Sequence, residues 1–407
     1  MQSLIGAPFV DRVLMSERDQ PDAAEAVDSI TPETLFERID SGKDVFILDV
    51  RSEDNFEEWH VDGENVEIVN YPYFELLDGV SEALLTELPE DEQITVLCAK
   101  GGSSEFVAES LEDEGHDVNH LEDGMKGWAR IYERVELDVD SDATIIQYQR
   151  PSSGCLAYLI ASDGEAAVID PLRAFTEEYI QTAQDHGAEL TYTLDTHIHA
   201  DHISGVRDLS EQTGATPVIP EAAAERGVDY DLTYETVDDG ETITVGNVEL
   251  DVIHTPGHTT GMTAYKVANV LFTGDGLFTE SVARPDLEDP AAASDAALTL
   301  YESLTDSVLS QPDETVIAPA HFSDAATPND DGSYTATLGE LRSTMDALSM
   351  DEDSFVEFIV SNMPPQPANY DTIIATNLGQ EAPDEQEAFE LELGPNNCAA
   401  SEEALTN

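Results

Sequence analysis

Seven histidine and aspartate side chains at the ends of apolar runs limit most strongly what this chain can fold into. The segment THIHADHISG (196–205) follows the run LTYTLDT and sets His197, His199, Asp201 and His202 within six consecutive positions. His258 in TPGHTTG, Asp275 in FTGDG and His321 in APAHF each follow a further apolar run. Layered α/β folds carry their chemistry where strands end, so these segments call for a sheet whose strand ends converge. Alternation along an extended segment puts His197 and His199 on one side, and the following turn brings Asp201 and His202 to a second. The pattern therefore suits two adjacent metal positions. Imidazole and carboxylate favour zinc, iron or manganese, and no cysteine stands near enough in sequence to make the site soft. The remaining histidines read differently. His60, His116, His120 and His186 fit solvated or hydrogen-bonded structural roles, and His254, at a strand end, fits packing or the support of a ligand.

Charge decides what surrounds such a site. The chain has 407 residues, enough for two or three domains. It carries 87 acidic against 16 basic residues, a formal net charge of −71. Self-repulsion on this scale leaves either a disordered chain or a folded one in concentrated salt, where screening shrinks to a few Å. Hydrophobic residues make up 41% of the chain, and runs such as VFILDV, ITVLC and VLFTGD recur among evenly spread acids, which argues for folding. A salt-accumulating halophile is the expected source. Without a basic patch, nucleic acid is excluded as a partner. Three cysteines, Cys98, Cys155 and Cys398, cannot build a disulfide framework and fit a reducing compartment. The N-terminal segment has neither a signal-peptide pattern nor a membrane-spanning length of apolar residues, so a soluble cytoplasmic protein with no membrane partner is expected.

Along the chain, residues 1–30 read as a leader or linker, and helices and strands alternate from SITPETLFERIDSG onward. The stretch TPETLFERI starts a helix with a capping residue and proline. VFILDV and ITVLC read as buried strands, and SEFVAESLEDEG as an amphipathic helix with Phe106, Val107, Ser110 and Leu111 on one face. The polar stretch ELDVDSDA (136–143) marks a domain boundary, giving units over 31–137 and 143–365. Residues 366–407 read as an irregular tail packed on the second unit.

The ordered set THxHADH, TPGHTxG, TGD and xAH resembles the metallo-β-lactamase fold, a four-layer αββα sandwich. The resemblance implies a seven-ligand set: His197, His199, Asp201, His202, His258, Asp275 and His321. In binuclear members, such as the glyoxalase II thioesterases, all seven hold two metals and Asp275 would bridge them. In the persulfide dioxygenase branch one Fe(II) is held by three, here His197, His258 and Asp275, a 2-His-1-carboxylate face with open positions. His199, Asp201, His202 and His321 would then support the centre or hold a second metal. The segment SVARPD resembles the GRxD stretch of that branch, with Ala283 in place of glycine, which implies that Arg284 contacts the substrate's thiol carrier. Cys155 stands where the branch tends to carry a cysteine near the iron, and a small buried apolar role is the alternative.

The first unit resembles a rhodanese domain through LDVRSEDNFEEWHVDG, VLCAKGGSSEFVAESL and LEDGMKGW. The resemblance implies an α/β domain in which Cys98 carries sulfane sulfur as a persulfide. Loop amides, a helix starting near Ser103 and the Lys100 ammonium would favour its thiolate. The loop CAKGGSS lacks the arginine common in rhodaneses, which puts thiosulfate in doubt as donor.

Together these resemblances imply an enzyme that oxidises a small-molecule thiol persulfide with O2 to sulfite at one Fe(II) per chain. The alternative is a thioesterase of the glyoxalase II type with two zinc ions or mixed metals. A third reading is a sulfur-carrier or scaffold protein with a structural metal. The thiol carrier, whether the rhodanese unit is active or silent and only organises assembly, the roles of Cys155 and Cys398, and the oligomeric state, a homodimer included, stay open at this level.

Overall fold

A computed structural model describes residues 27–400 apart from 78 and 324. Most of the leader expected over 1–30 therefore lies outside the described residues. Its last residues do not behave as a linker. Val27 is buried, and strand β1 (Ser29–Ile30) pairs in parallel with β5 (Val118–Leu121).

Between them run β2 (Val45–Asp49), β3 (Val66–Asn70) and β4 (Ile94–Leu97), giving the parallel order β1-β5-β4-β2-β3. The residues of β2 and β4 are buried throughout, as parallel strands covered by helices on both faces must be. The helix Pro32–Asp40 starts as the capping pattern demands, with the Thr31 hydroxyl accepting from the Thr34 amide. The helix Gly102–Asp113 buries Ser104, Val107, Ala108 and Leu111. Phe106, expected on that face, is instead 45% exposed, because one residue of turn, about 100°, carries it past the edge of the apolar stripe.

The second unit holds two sheets. The first contains β6 (Glu133–Glu136), β7 (Thr144–Arg150), β8 (Cys155–Ser162), β9 (Glu165–Ile169), β10 (Glu189–Leu194), β11 (Thr216–Pro220) and β12 (Glu235–Val237). The other contains β13 (Thr242–Val245), β14 (Val248–His254), β15 (Thr263–Val267), β16 (Val270–Gly274), β17 (Val316–Pro319) and β18 (Ala336–Thr337). Each sheet keeps its strands in chain order, reversed in the first. Their facing sides share one core, in which Ile145, Tyr158 and Leu194 meet Leu250, Tyr265 and Phe272. The helix Thr176–Asp185 covers the outer face of one sheet, and Ala293–Ser303 covers that of the other. This is a four-layer αββα sandwich. In β14, Leu250 and Val252 point inward while Glu249 and Asp251 face water, which shows how a chain of this acidity keeps a dry core.

One boundary moves. Strand β6 pairs antiparallel with β7, and Leu137 and Ala143 are buried in the sandwich core. The stretch 136–143 is therefore a connection inside the second unit, and the junction falls before residue 133. Nor is the C-terminal region irregular. It forms helices Tyr370–Asn377 and Glu385–Leu391 and touches both units. Phe389 lies beneath the Arg130 guanidinium at 4.1 Å, and Glu390 pairs with Lys100 and Lys126 at 3.1 Å each. Glu392 forms a buried ion pair with Arg150 at 3.0 Å.

Candidate metal centre and thiol sites

Strands β9, β10, β14, β16 and β17 end on one rim of the sandwich, and each delivers part of the site just past its last residue. His197, His199, His202, His258, Asp275 and His321 are at most 2% exposed, and Asp201 is 7% exposed.

Tautomers follow from the partners. Thr196 Oγ1 donates to Asp170 Oδ2 at 2.9 Å, so its hydroxyl oxygen accepts from His197 Nδ1 at 2.9 Å. His258 Nδ1 donates to the Arg284 carbonyl at 2.8 Å. Both rings are thus left with a bare Nε2. Neither Nε2 has a hydrogen-bond partner, and neither does Asp275 Oδ2, although all three are buried. Each Nε2 stands 3.5–3.6 Å from that oxygen. Ligands bonded to one metal at about 2.0–2.2 Å lie about 3–3.5 Å apart, so the three atoms fit the corners of a shared ion. Three buried polar atoms left without partners would otherwise cost folding free energy. Burial, assisted by neighbouring imidazoles, lowers the pKa of His197 well below the usual histidine value, and burial likewise lowers that of His258. Neutral imidazole is the ligand form.

The remaining expected ligands bond to one another. His321 donates from Nδ1 to Asp275 Oδ1 at 2.6 Å and from Nε2 to Asp201 Oδ2 at 2.7 Å. Burial opposes the charge on His321, but Asp275 and Asp201 outweigh it and raise its pKa well above the usual value. A ring with both nitrogens protonated has no lone pair for a metal. His202 Nδ1 and Cys155 Sγ also approach Asp201 Oδ2, at 3.0 and 3.2 Å. Burial and Asp201 push the Cys155 thiol up, yet His321 and hydrogen bonds from His202 and His321 leave it lowered overall. His199 turns Nε2 to Asp170 Oδ1 at 3.1 Å. Its Nδ1, His202 Nε2 and Asp201 Oδ1 are buried without partners, so this half keeps donor atoms of its own.

Supporting residues came from outside the expected set. Asp170 adopts a left-handed φ of 52° and binds the Thr196 amide at 2.7 Å, which locks the start of the histidine segment. Asn377 donates to the carbonyls of His199 and His202 at 3.0 and 2.8 Å. Asp170 ends an apolar strand as the other site residues do, a signal available in the sequence; Asn377 carries none. Gly274 has φ 51°, and a Cβ there would lie 2.5 Å from Thr196 Oγ1.

Arg284 departs from expectation. It is 1% exposed, and its guanidinium binds Asp286 at 2.7 and 3.0 Å and the carbonyls of Pro365 and Asn397 at 2.8 and 3.0 Å. Its guanidinium is bound within this chain, to Asp286 and two C-terminal carbonyls.

In the first unit, Cys98 ends β4. Its Sγ accepts from the Gly101 amide at 3.1 Å and lies 3.4 Å from Ser104 Oγ. Gly124 closes the loop from below, with φ 55° and room for no Cβ, which would fall 2.0 Å from the Cys98 carbonyl oxygen. Lys100 is not turned to the thiol, since its side chain is 65% exposed and its ammonium is paired with Glu390.

Comparison with known proteins agrees with this fold. The Metallo-beta-lactamase superfamily profile matches residues 151–321, and that of the Rhodanese-like domain matches 31–131. The chain joins a rhodanese-like domain to a metallo-β-lactamase domain. Mitochondrial persulfide dioxygenase ETHE1 of Homo sapiens is 29% identical over 237 residues, covering 57% of this chain and 86% of the relative. Hydroxyacylglutathione hydrolase of Erythrobacter litoralis is 31% identical over 171 residues, 41% of this chain and 65% of the relative. Among solved structures, ETHE1 from Myxococcus xanthus aligns with TM-score 0.51 at 27% identity, covering 58% of this chain and 98% of that one. A metallo-beta-lactamase from Staphylococcus aureus aligns with TM-score 0.54 at 27% identity, covering 60% and 74%. The curated relatives are enzymes. Among the described residues, no helix is long and apolar enough to cross a membrane.

Proposed function

We propose that this protein is a persulfide dioxygenase: R–S–SH + O2 + H2O → R–SH + sulfite + 2 H+. The observation that carries the reading is the contrast within the centre. His197 Nε2 and His258 Nε2, both without a hydrogen-bond partner, stand 3.6 and 3.5 Å from the unpartnered Asp275 Oδ2. His321, by contrast, is engaged at both nitrogens. Two imidazoles and one carboxylate suit a single Fe(II) with open positions. Iron bound there would supply the redox chemistry that joins O2 to a sulfane sulfur.

The surrounding residues set the conditions for that chemistry. Thr196 and the Arg284 carbonyl fix the two imidazoles, and His321 fixes the carboxylate. Burial excludes bulk water, so a reactive sulfur is shielded from side reactions. Cys98, with an amide directed at its sulfur, is suited to pass sulfane sulfur to or from the substrate pool. The charge of −71 supports work in a salt-rich cytoplasm.

The likeness to hydroxyacylglutathione hydrolase, together with the unpartnered atoms of His199, Asp201 and His202, favours a second reading, a two-metal thioesterase. Anaerobic purification in concentrated salt, metal counting and oxygen uptake with glutathione persulfide separate the two. One iron per chain with oxygen consumed and sulfite formed supports the dioxygenase. Two zinc ions with thioester cleavage and no oxygen uptake would sink it.

A further inference from the structure

The proposed centre leaves two adjacent thiols unused, Cys155 beside Asp201 and Cys398 beside Asp275. Cys398 is fully buried, and it forms a cluster with Asp275 and His321 whose ligand atoms all lie within 4.8 Å of one another. Asp275 is the carboxylate whose Oδ2 is buried without a partner. The thiol is carried there by a strap of backbone hydrogen bonds. The Arg284 amide donates to the Cys398 carbonyl at 3.1 Å, the Ala400 amide donates to the Val282 carbonyl at 2.9 Å, and Ala283 bridges to Ala399. The Arg284 side chain adds its bond to the Asn397 carbonyl. The arginine expected to hold an external thiol carrier thus holds the segment that delivers a thiol of this chain. Eight residues earlier the same segment meets the Cys98 loop, through Glu390 and Lys100.

We propose that Cys398 receives the sulfane sulfur and holds it beside His197, His258 and Asp275 as a protein persulfide. The inference rests on the dioxygenase reading and names the form in which substrate reaches that centre. In the first step the Cys398 sulfur attacks the outer sulfur of a donor: R–S–SH + Cys398–SH → R–SH + Cys398–S–SH. One S–S bond breaks, one forms, the proton leaves with the released thiol, and no oxidant is needed. Oxidation then follows as Cys398–S–SH + O2 + H2O → Cys398–SH + sulfite + 2 H+, which regenerates the thiol. The added sulfur extends the side chain by about 2.05 Å, into a cluster already within 4.8 Å. The donor R is a small thiol or the Cys98 side chain.

The test uses the full-length, metal-containing protein without oxygen. It is treated with glutathione persulfide, alkylated without reductant, digested and examined by mass spectrometry. The Cys398 peptide gains one sulfur atom, and admitting air removes it with release of sulfite. With Cys98→Ser, continued loading of Cys398 identifies the small thiol as donor, and loss of loading identifies Cys98. Cys398→Ser lowers oxygen uptake by roughly 100-fold. An unmodified Cys398 in protein that consumes oxygen with persulfide overturns the inference while leaving the dioxygenase reading intact, as does full uptake by Cys398→Ser. Absence of oxygen uptake in the wild-type protein overturns the dioxygenase reading, whereas the anaerobic loading result decides the fate of Cys398. The wild-type measurement needs no variant to fold.

Discussion

Glu392→Ala should destabilise the protein by about 3–5 kcal/mol, the cost of leaving one member of a buried ion pair alone. Arg150 and Glu392 side chains are each 1% exposed and meet at 3.0 Å. Arg150 also donates from Nε to the Ala129 carbonyl at 3.0 Å, and its guanidinium lies 5.3 Å above Phe389 and 5.5 Å above Phe175. It is therefore fixed by its packing and cannot turn to water when its partner is removed. The other carboxylate oxygen accepts from the Ile203 amide at 3.0 Å, next to His202, so the substitution also releases the end of the histidine segment. Against a total stability of about 5–15 kcal/mol, the loss is large. The double variant Arg150→Met/Glu392→Met should recover most of it, because both charges leave together. Urea unfolding in concentrated salt gives the magnitude, and hydrogen exchange at the Ile203 amide gives the local effect. Salt should leave the effect unchanged, unlike the exposed Lys100–Glu390 pair. A cost for Glu392→Ala below about 0.5 kcal/mol, in the range of ordinary surface substitutions, would refute the reasoning.

Metal content should follow the two halves of the centre: Asp275→Ala or His258→Ala loses iron, whereas Asp201→Asn keeps one iron per chain by elemental analysis. Gly274→Ala should lose iron as well, since the new Cβ would sit 2.5 Å from the Thr196 hydroxyl that orients His197, with about 1–2 kcal/mol of left-handed backbone cost besides. In metal-free protein, burial lowers the His202 pKa but Asp201 outweighs it and lifts it from 6.5 to about 9. A raised pKa stabilises the fold fully below pH 6.5 and loses that contribution as pH rises through about 9, so His202→Asn should flatten the fall of the melting temperature over that window. Dilution of salt should unfold the protein, seen as loss of its circular dichroism, because the charge of −71 is then unscreened.

Much of this site was legible without coordinates. A histidine or aspartate just past an apolar strand has few places to go in an αββα sandwich, so the spacing of His197, His258, Asp275 and His321 already implied convergence. The rhodanese loop was legible for the same reason, since a strand, Cys98, two glycines and a helix leave the thiol under the Gly101 amide. Partner choice was not legible. Arg284 is surrounded in sequence by a loop that suits ligand binding, and only packing shows its guanidinium taken by Asp286 and the C-terminal strap. Lys100 likewise stands two residues from Cys98 but points to Glu390.

By itself, the order of residues determined the two domains, the seven residues at the strand ends and the acidic surface, because periodicity, turns and charge are local properties of a chain. Tertiary structure decided which of the seven share hydrogen bonds and which are left with bare lone pairs. It also decided that a segment more than 100 residues past Asp275 returns to lay Cys398 against it. Those outcomes depend on contacts between elements far apart in sequence, where a shift of one ångström separates a hydrogen bond at 2.6 Å from a ligand edge at 3.5 Å.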